Sequence, residues 1–576
     1  MAKLIINNIP VTVPDGSRLL DACAKAGFKV PTLCYVKDLC CDGSCRVCVV
    51  EVKGARSLVV ACATTVRDGM EVITDSPQII EARKMTLELL ISNHNTDCLS
   101  CTRSQNCDLQ KLALEYGCDQ HAYAGRKTEF EIDDENAFIV RDYNKCILCR
   151  RCSNVCKGVQ DVAVVSPLGR GFTTRIGCAF DVKLGESPCV ACGQCVAVCP
   201  TAALKEKSNI DGVWSAIDDS KKHVVVATAP AIRVGLGDEF GFKTGEFVEG
   251  KMASSLRRLG FNKVFDINFG ADLTVMEEGH EFLDRLNNKS GKLPMITSCS
   301  PGWVRYVEFY APEYLENLST CKSPQQMFGS IVKTYYAEKN RINPADITVV
   351  TIMPCTAKKF EITREHQAAS GYPDVDYVLT TRELARLIRM RGIDFANLPD
   401  ENFDDLLGTS STAGLIFGTS GGVMEASLRT VSEVVLEKPL QNVDFKAVRG
   451  TKGIKEATIK LGDKTVKVAA VSGLANAKKL LADIKSGKKE YHFIEVMACP
   501  GGCVLGGGQP ITSVQTRKET ADTRGKALYK KDKSSNLRKA HNNPVIKELY
   551  KDYLEKPGGH KAHKILHTNY AKTDKF

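Results

Sequence analysis

Glu495-Val-Met-Ala-Cys-Pro-Gly-Gly-Cys-Val-Leu-Gly-Gly-Gly-Gln-Pro510 sets two thiols, Cys499 and Cys503, among five glycines and two prolines. That spacing presents two sulfurs to one metal centre. The glycines let main chain approach closely and adopt positive φ, as a cluster packed against backbone requires. The apolar run that leads in, Phe493–Met497, reads as a strand. Similar runs lie at His223–Pro230, Lys263–Ile267, Ile347–Met353 and Val466–Val471, with helical segments at Ser255–Leu259, Thr381–Arg391 and Gly422–Ala426. Strands alternating with helices predict α/β layers with mainly parallel sheet. Functional residues belong beyond the carboxyl ends of such strands. Cys355 follows Ile347–Met353 in this way, as Cys499 follows Phe493–Met497.

A chain of 576 residues, 43% hydrophobic and 25% charged, has the composition of a soluble protein with several domains. No run of about 18 apolar residues occurs, so no membrane span is expected. The start, Met1-Ala-Lys-Leu-Ile-Ile-Asn-Asn8, turns polar too early for a secretory signal, and the expected location is cytoplasmic. Twenty-five cysteines in a long chain of this kind, many in C-x2-C groups, point to metal rather than to disulfides. The net charge of +10 is concentrated near the end, where residues 511–576 hold 16 Lys and Arg against 7 Asp and Glu. Basic surface suits an acidic redox partner. No helix-turn-helix, zinc-finger or RNP signature supports nucleic acid, and none is expected to bind.

Three metal modules precede the α/β region. Residues 1–80 begin with apolar runs around Asn7-Asn8, a hairpin signal, and a helical stretch near Arg18–Ala26. Cys34, Cys45, Cys48 and Cys62 follow, spaced C-x10-C-x2-C-x13-C. This resembles the plant-type ferredoxin fold, a β-grasp domain with one 2Fe–2S cluster, for which four thiolates are the required set. Cys40 and Cys41 fall outside the pattern. Residues 81–125 carry a helical run, Glu81–Ser92, and then His94-x3-Cys98-x2-Cys101-x5-Cys107. Imidazole with thiolates suits zinc or an iron–sulfur cluster. Between two other iron–sulfur modules, a 4Fe–4S cluster with one His ligand is the better fit. Residues 126–208 hold Cys146-x2-Cys149-x2-Cys152-x3-Cys156 and Cys189-x2-Cys192-x2-Cys195-x3-Cys199-Pro200. This is the two-cluster bacterial ferredoxin pattern, in which the fourth Cys of each run ligates the other 4Fe–4S cluster. One set is then Cys146, Cys149, Cys152 and Cys199; the other is Cys189, Cys192, Cys195 and Cys156. Cys23, Cys118, Cys178 and Cys321 lie outside every motif and read as small buried hydrophobes.

Residues 209–576 resemble the iron-only (FeFe) hydrogenases through Thr297-Ser-Cys-Ser-Pro-Gly-Trp303, Met353-Pro-Cys-Thr-Ala-Lys-Lys359 and Glu495–Pro510. With the upstream modules, the whole chain is similar to the ferredoxin-linked clostridial members of that family. The resemblance implies interconversion of H2 with protons and electrons at an H-cluster. That cofactor joins a 4Fe–4S cubane to a di-iron subsite carrying CO, cyanide and azadithiolate, which maturation proteins supply. By position, Cys355, Cys499 and Cys503 hold the cubane, with Cys503 bridging to the di-iron unit. Lys358 pairs with a cyanide, and Met353 and Met497 line an apolar pocket with Pro230, Gln325 and Phe417. Ala231 stands where the family often has Ser. Cys299, Glu278, Ser319, Glu281 and Arg285 correspond to a proton relay. The implied electron partner is ferredoxin or flavodoxin.

One position departs from the pattern. The fourth cubane ligand expected beside Cys299 is Ser300. Three accounts compete: Ser300 ligates through oxygen, or Cys299 swings to the iron and leaves the relay, or the cubane is incomplete and activity impaired. Two rival functions stand beside the ferredoxin-linked enzyme. One is the catalytic subunit of a multi-subunit NAD(P)-coupled hydrogenase. The other is a low-turnover H2 sensor. No Gly-x-Gly-x-x-Gly follows a strand, so the chain is not expected to bind a nucleotide itself.

Overall fold

The computed structural model describes residues 1–288, 290–462 and 464–575. The chain forms two compact units. One comprises Met1–Gly158, Ala163–Ser187 and Val198–Lys205; the other comprises Val159–Val162, Pro188–Ala197 and Glu206–Phe576.

The first unit opens with a five-stranded sheet in the order β2-β1-β5-β3-β4. These strands are β1 (Ala2–Ile6), β2 (Ile9–Val13), β3 (Val49–Val52), β4 (Val59–Val60) and β5 (Glu71–Ile73). β1 runs parallel to β5, and the other neighbours are antiparallel. The β1–β2 turn rests on Asn7 and Asn8 at φ 45° and 64°, a conformation asparagine tolerates. Along β1 the even residues Ala2, Leu4 and Ile6 are buried and pack over the helix Leu19–Lys25. The next helix starts at Pro77, four residues before the expected Glu81. Ser76 caps it by accepting the Ile79 N–H, and Pro77 takes the first helical position, where its missing N–H costs nothing.

The second unit contains two four-stranded sheets. The first, in the order β7-β6-β9-β10, consists of β6 (His223–Thr228), β7 (Lys263–Asp266), β9 (Ile347–Met353) and β10 (Tyr377–Thr380), all parallel. Every residue of β9 is buried, as expected of a strand covered on both faces. The second is β8-β13-β12-β11, built from β8 (Met295–Ile296), β11 (Ile454–Leu461), β12 (Lys464–Ser472) and β13 (Phe493–Met497). β8, β13 and β12 are parallel, whereas β11 joins β12 as a hairpin. The carboxyl ends of β6, β7, β8, β9 and β13 all deliver residues to one cavity. Among the described residues no helix is long and apolar enough to cross a membrane.

Glu495, in the middle of β13 and fully buried, accepts the N–H groups of Gly421 and Met424 at 2.6 and 2.8 Å. It thereby fixes the start of the helix Gly422–Leu436, which runs ten residues beyond the expected Ala426. On that helix, buried Arg429 bonds Glu425 and Asp532, each at 2.8 Å. Asp532 belongs to the helix Arg517–Lys533, so this ion pair ties the C-terminal segment to the core. Asp532→Ala leaves a buried guanidinium short of a partner and should cost about 3–5 kcal/mol. A lowered guanidinium midpoint and faster proteolytic release of the C-terminal helices would report it.

Candidate active site and metal centres

The shared cavity holds roughly 800 Å³ of non-protein space and is lined by Cys299, Ser300, Cys355, Cys499 and Cys503. Pro230, Gln325, Lys358, Met353, Phe417 and Met497 complete the predicted set on its wall. The Gly-rich loop reaches it only because it lies directly on other backbone. A Cβ on Gly506 would stand 1.9 Å from the Pro354 carbonyl oxygen, and one on Gly502 (φ 97°) 2.5 Å from the Ser420 nitrogen. Gly508 donates to the Pro354 carbonyl at 2.9 Å and Val504 to that of Gly418 at 3.0 Å. Burial pushes the thiols of Cys355, Cys499 and Cys503 up, the last to about 12. Thiols this reluctant to ionise need a cation as partner, and a soft metal supplies it. The donor set therefore fits a thiolate-held metal cluster.

The neighbours of this cavity differ in part from expectation. Lys358 is held by Glu361, with Nζ 2.9 and 3.1 Å from the two carboxylate oxygens. Gln325 donates to the same carboxylate at 3.0 Å and accepts from Thr351 at 3.0 Å. Ala231 is fully buried but absent from the cavity wall. Its carbonyl accepts from Gln509 at 2.9 Å, and its side chain packs among Val234, Leu415 and Val504. Ser300 precedes the helix Pro301–Tyr310, and its hydroxyl accepts the Ala498 N–H at 3.2 Å. Glu361 and Gln509 went unnoticed in the sequence. Only the three-residue step from Lys358 to Glu361 offered a signal.

From Cys299 a line of ionisable groups runs outward. Burial pushes its thiol well up, and the next cause is the carboxylate of Glu278. Glu278 is 1% exposed; neither oxygen makes a well-formed hydrogen bond, though the nearby Ser319 hydroxyl partly offsets the effect of burial. Burial first, then the charge of Glu281, raise it to about 8. Glu278 and Glu281 share the helix Ile267–Asn288. The Ser319 hydroxyl donates to Glu281 at 2.9 Å, and Arg285 donates to its other oxygen at 2.5 Å. Arg285 also reaches the Leu318 carbonyl at 2.8 Å. Carboxyl, hydroxyl and carboxylate thus follow one another, groups of a kind able to pass a proton.

In the first unit the four sulfurs of Cys34, Cys45, Cys48 and Cys62 converge. Hydrogen bonds from Cys45 and Cys62 hold Cys34 down, and Cys62 does the same for Cys48. Cys40 instead donates to the Cys34 carbonyl at 3.6 Å. His94 is 8% exposed, and its Nδ1 has no hydrogen-bond partner. Burial, then Lys145, hold it down to about 4, so its ring is neutral and able to ligate. Cys98 and Cys101 flank a short turn, and Cys107 precedes the helix Asp108–Glu115. Cys146, Cys149, Cys152 and Cys199 line one cleft. Cys156 lies near the end of the helix Arg151–Gly158, its thiol pushed up by burial. In the second unit Cys189, Cys192 and Cys195 follow one another on Pro188–Ala197, with Cys192 on the wall of the large cavity.

Residues 222–507 match the iron only hydrogenase large subunit, C-terminal domain, and residues 518–573 the iron hydrogenase small subunit. Upstream, residues 1–77 match a 2Fe-2S iron-sulfur cluster binding domain. Residues 83–122 match the NADH-ubiquinone oxidoreductase-G iron-sulfur binding region, and 145–203 a 4Fe-4S dicluster domain. The chain is 47% identical to the NADP-reducing hydrogenase subunit HndD of Solidesulfovibrio fructosivorans, over 100% of both proteins. It is 40% identical to iron hydrogenase 1 of Clostridium pasteurianum, over 99% of this chain and 100% of that one. Among solved structures, apo FeFe-hydrogenase HydA1 from Chlamydomonas reinhardtii, in a variant form, superposes with TM-score 0.58 at 42% identity. That match covers 63% of this chain and 99% of the other.

The buried state of Glu278 has a spectroscopic consequence. With its titration near 8, it carries a proton at pH 7 and loses it as the pH rises. Infrared difference spectra should contain a protonated-carboxyl band at pH 7 that fades above pH 8 and is missing from Glu278→Gln.

Proposed function

Because this chain belongs to the iron-only (FeFe) hydrogenase family, we propose that it interconverts H2 with protons and electrons at an H-cluster seated in the large cavity. What carries this reading is the meeting of Cys355, Cys499 and Cys503 in a cavity from which Cys299, Glu278, Ser319, Glu281 and Arg285 lead away. When bound, the cofactor supplies the metal site at which protons and electrons combine. Cys355, Cys499 and Cys503 would hold the cofactor, whose di-iron unit maturation proteins would supply. Met353, Met497 and Phe417 keep that site dry. Lys358, steadied by Glu361, offers an ammonium to a cyanide. Cys299 exchanges a proton with Glu278, which holds one near neutral pH and passes it through Ser319 to Glu281 and Arg285.

Cys34, Cys45, Cys48 and Cys62 would hold a 2Fe–2S cluster, and His94, Cys98, Cys101 and Cys107 a 4Fe–4S cluster, each of which would supply a one-electron redox centre. The cysteines of the two-cluster module would hold two further 4Fe–4S clusters. The protein partner is ferredoxin or flavodoxin, drawn by basic surface, and the location is cytoplasmic. A second reading is favoured by the full-length match to an NADP-reducing hydrogenase subunit: electrons pass to a separate nucleotide-binding subunit. Reduced ferredoxin sustaining H2 evolution by the isolated chain supports the first reading; strict dependence on a co-purifying flavoprotein supports the second.

In matured protein, Cys299→Ala should lower viologen-driven H2 evolution by about 10²–10⁴-fold, the range for loss of a positioned proton donor, with the cubane EPR signal retained. In Ser300→Cys that signal should shift while activity persists. Activity in Ser300→Cys alone would mean that the native serine disables the cubane.

A further inference from the structure

At the outer end of the relay, Glu281, Cys321 and His567 each bring one ligand atom within 4.8 Å of the other two. Cys321 was read as a space-filling thiol; it is fully buried, but its sulfur faces a Glu281 carboxylate oxygen at 3.7 Å. Arg285 occupies the other oxygen of Glu281. The oxygen facing Cys321 also accepts from Ser319 at 2.9 Å and from the Thr320 N–H at 3.1 Å. Backbone pairing sets the third member in place. Cys321 and His567 bridge as antiparallel partners, with Lys322 donating to the Leu566 carbonyl and Thr568 to that of Thr320, each at 2.8 Å.

The surroundings of His567 are those of a metal-binding imidazole. Its Nε2 lies 3.0 Å from a Glu277 carboxylate oxygen, and the Glu277 side chain is fully buried. Glu277 is itself held by the Tyr550 hydroxyl and by the Gly558 N–H at 2.9 Å. A histidine that ligates metal usually gives its other ring N–H to a carboxylate, which orients the ring and raises its basicity. With Nε2–H on Glu277, Nδ1 keeps the free lone pair and now accepts from the Thr320 hydroxyl at 2.7 Å. Glu277 and Glu281 outnumber Arg285 here, so the local field favours a cation. The exposed ring of His563 stacks on His567 with centroids 4.5 Å apart, offering a first contact from solvent.

We propose that Glu281, Cys321 and His567 form a site for a borderline divalent transition-metal ion such as Zn2+, and that its occupation halts proton passage through Glu281. Thiolate, imidazole and carboxylate together suit zinc, with water as a fourth ligand. The Cys321 thiol proton leaves to solvent as the metal binds. Binding draws the carboxylate oxygen of Glu281 away from Ser319, which breaks the wire. The inhibitory half of this proposal rests on the relay assigned above; the site itself does not.

The test uses the fully matured enzyme, with Zn2+ added anaerobically and excess removed by gel filtration. Zinc content and zinc-edge X-ray absorption are measured beside H2 evolution, each rate being taken relative to the same sample with chelator. Expected is one retained zinc with a single sulfur at about 2.3 Å and otherwise N and O neighbours. The sulfur should vanish in Cys321→Ala, and Glu277→Gln should weaken retention by about 10–100-fold. Zinc inhibition should be present in the unaltered enzyme and absent from Cys321→Ala. No retained zinc, or the same sulfur-bound zinc in Cys321→Ala, overturns the site. Zinc bound through Cys321 with an unchanged rate overturns the arrest, and with it the passage of protons through Glu281.

Discussion

Backbone-to-backbone contact at the Gly-rich loop is the constraint on which the catalytic unit depends. Cys499 and Cys503 come from one segment and Cys355 from another, yet their sulfurs must face a single volume. The loop achieves this by lying on Pro354, Thr419 and Ser420 at distances that leave no room for a Cβ. The second sheet supplies the loop through β13, and the first supplies Cys355 through β9. Two parallel arrays aimed at one point are what make the closeness possible. Glu495 adds rigidity, since its buried carboxylate clamps the Gly421 and Met424 N–H groups below the same loop.

Desolvation does the remaining electrostatic work. The same dry interior that pushes the cavity thiols up also keeps Glu278 near 8. A group that titrates close to ambient pH can both hold and release a proton, so one physical cause suits these thiols to metal and Glu278 to proton exchange. Lys358 differs, because Glu361 balances it within the protein before any ligand arrives.

Parallel strands were legible because burial on both faces writes them as largely apolar runs, as in Ile347–Met353 and in Phe493–Met497, where only Glu495 interrupts. β11 was hidden because its burial alternates, and Lys455, Glu456 and Lys460 disguise it as polar chain. Which sheet a strand joins was not legible, since the pairings β6–β9 and β8–β13 link positions more than a hundred residues apart. The thiols of the site stood out by spacing. Its carboxylates did not: Glu277 meets Tyr550 and His567 across more than 270 positions, and no local pattern carries such a contact. Cys321 is buried in the hydrophobic core as expected, but its contact with Glu281 was not legible for the same reason. A lone cysteine is read from its neighbours in sequence, but its chemistry comes from Glu281 in space.

The segment that matches an iron hydrogenase small subunit is continuous here with the segment that matches the large one. Its helix Arg517–Lys533 donates from Arg524 to the Val504 carbonyl at 2.7 Å, directly behind the Gly-rich loop. The linker from that loop is only a few residues long. Docking is therefore intramolecular, governed by an effective concentration of about millimolar or above rather than by how much protein is present. Dilution that would separate two subunits leaves this closure intact, and the loop keeps its backing at any expression level.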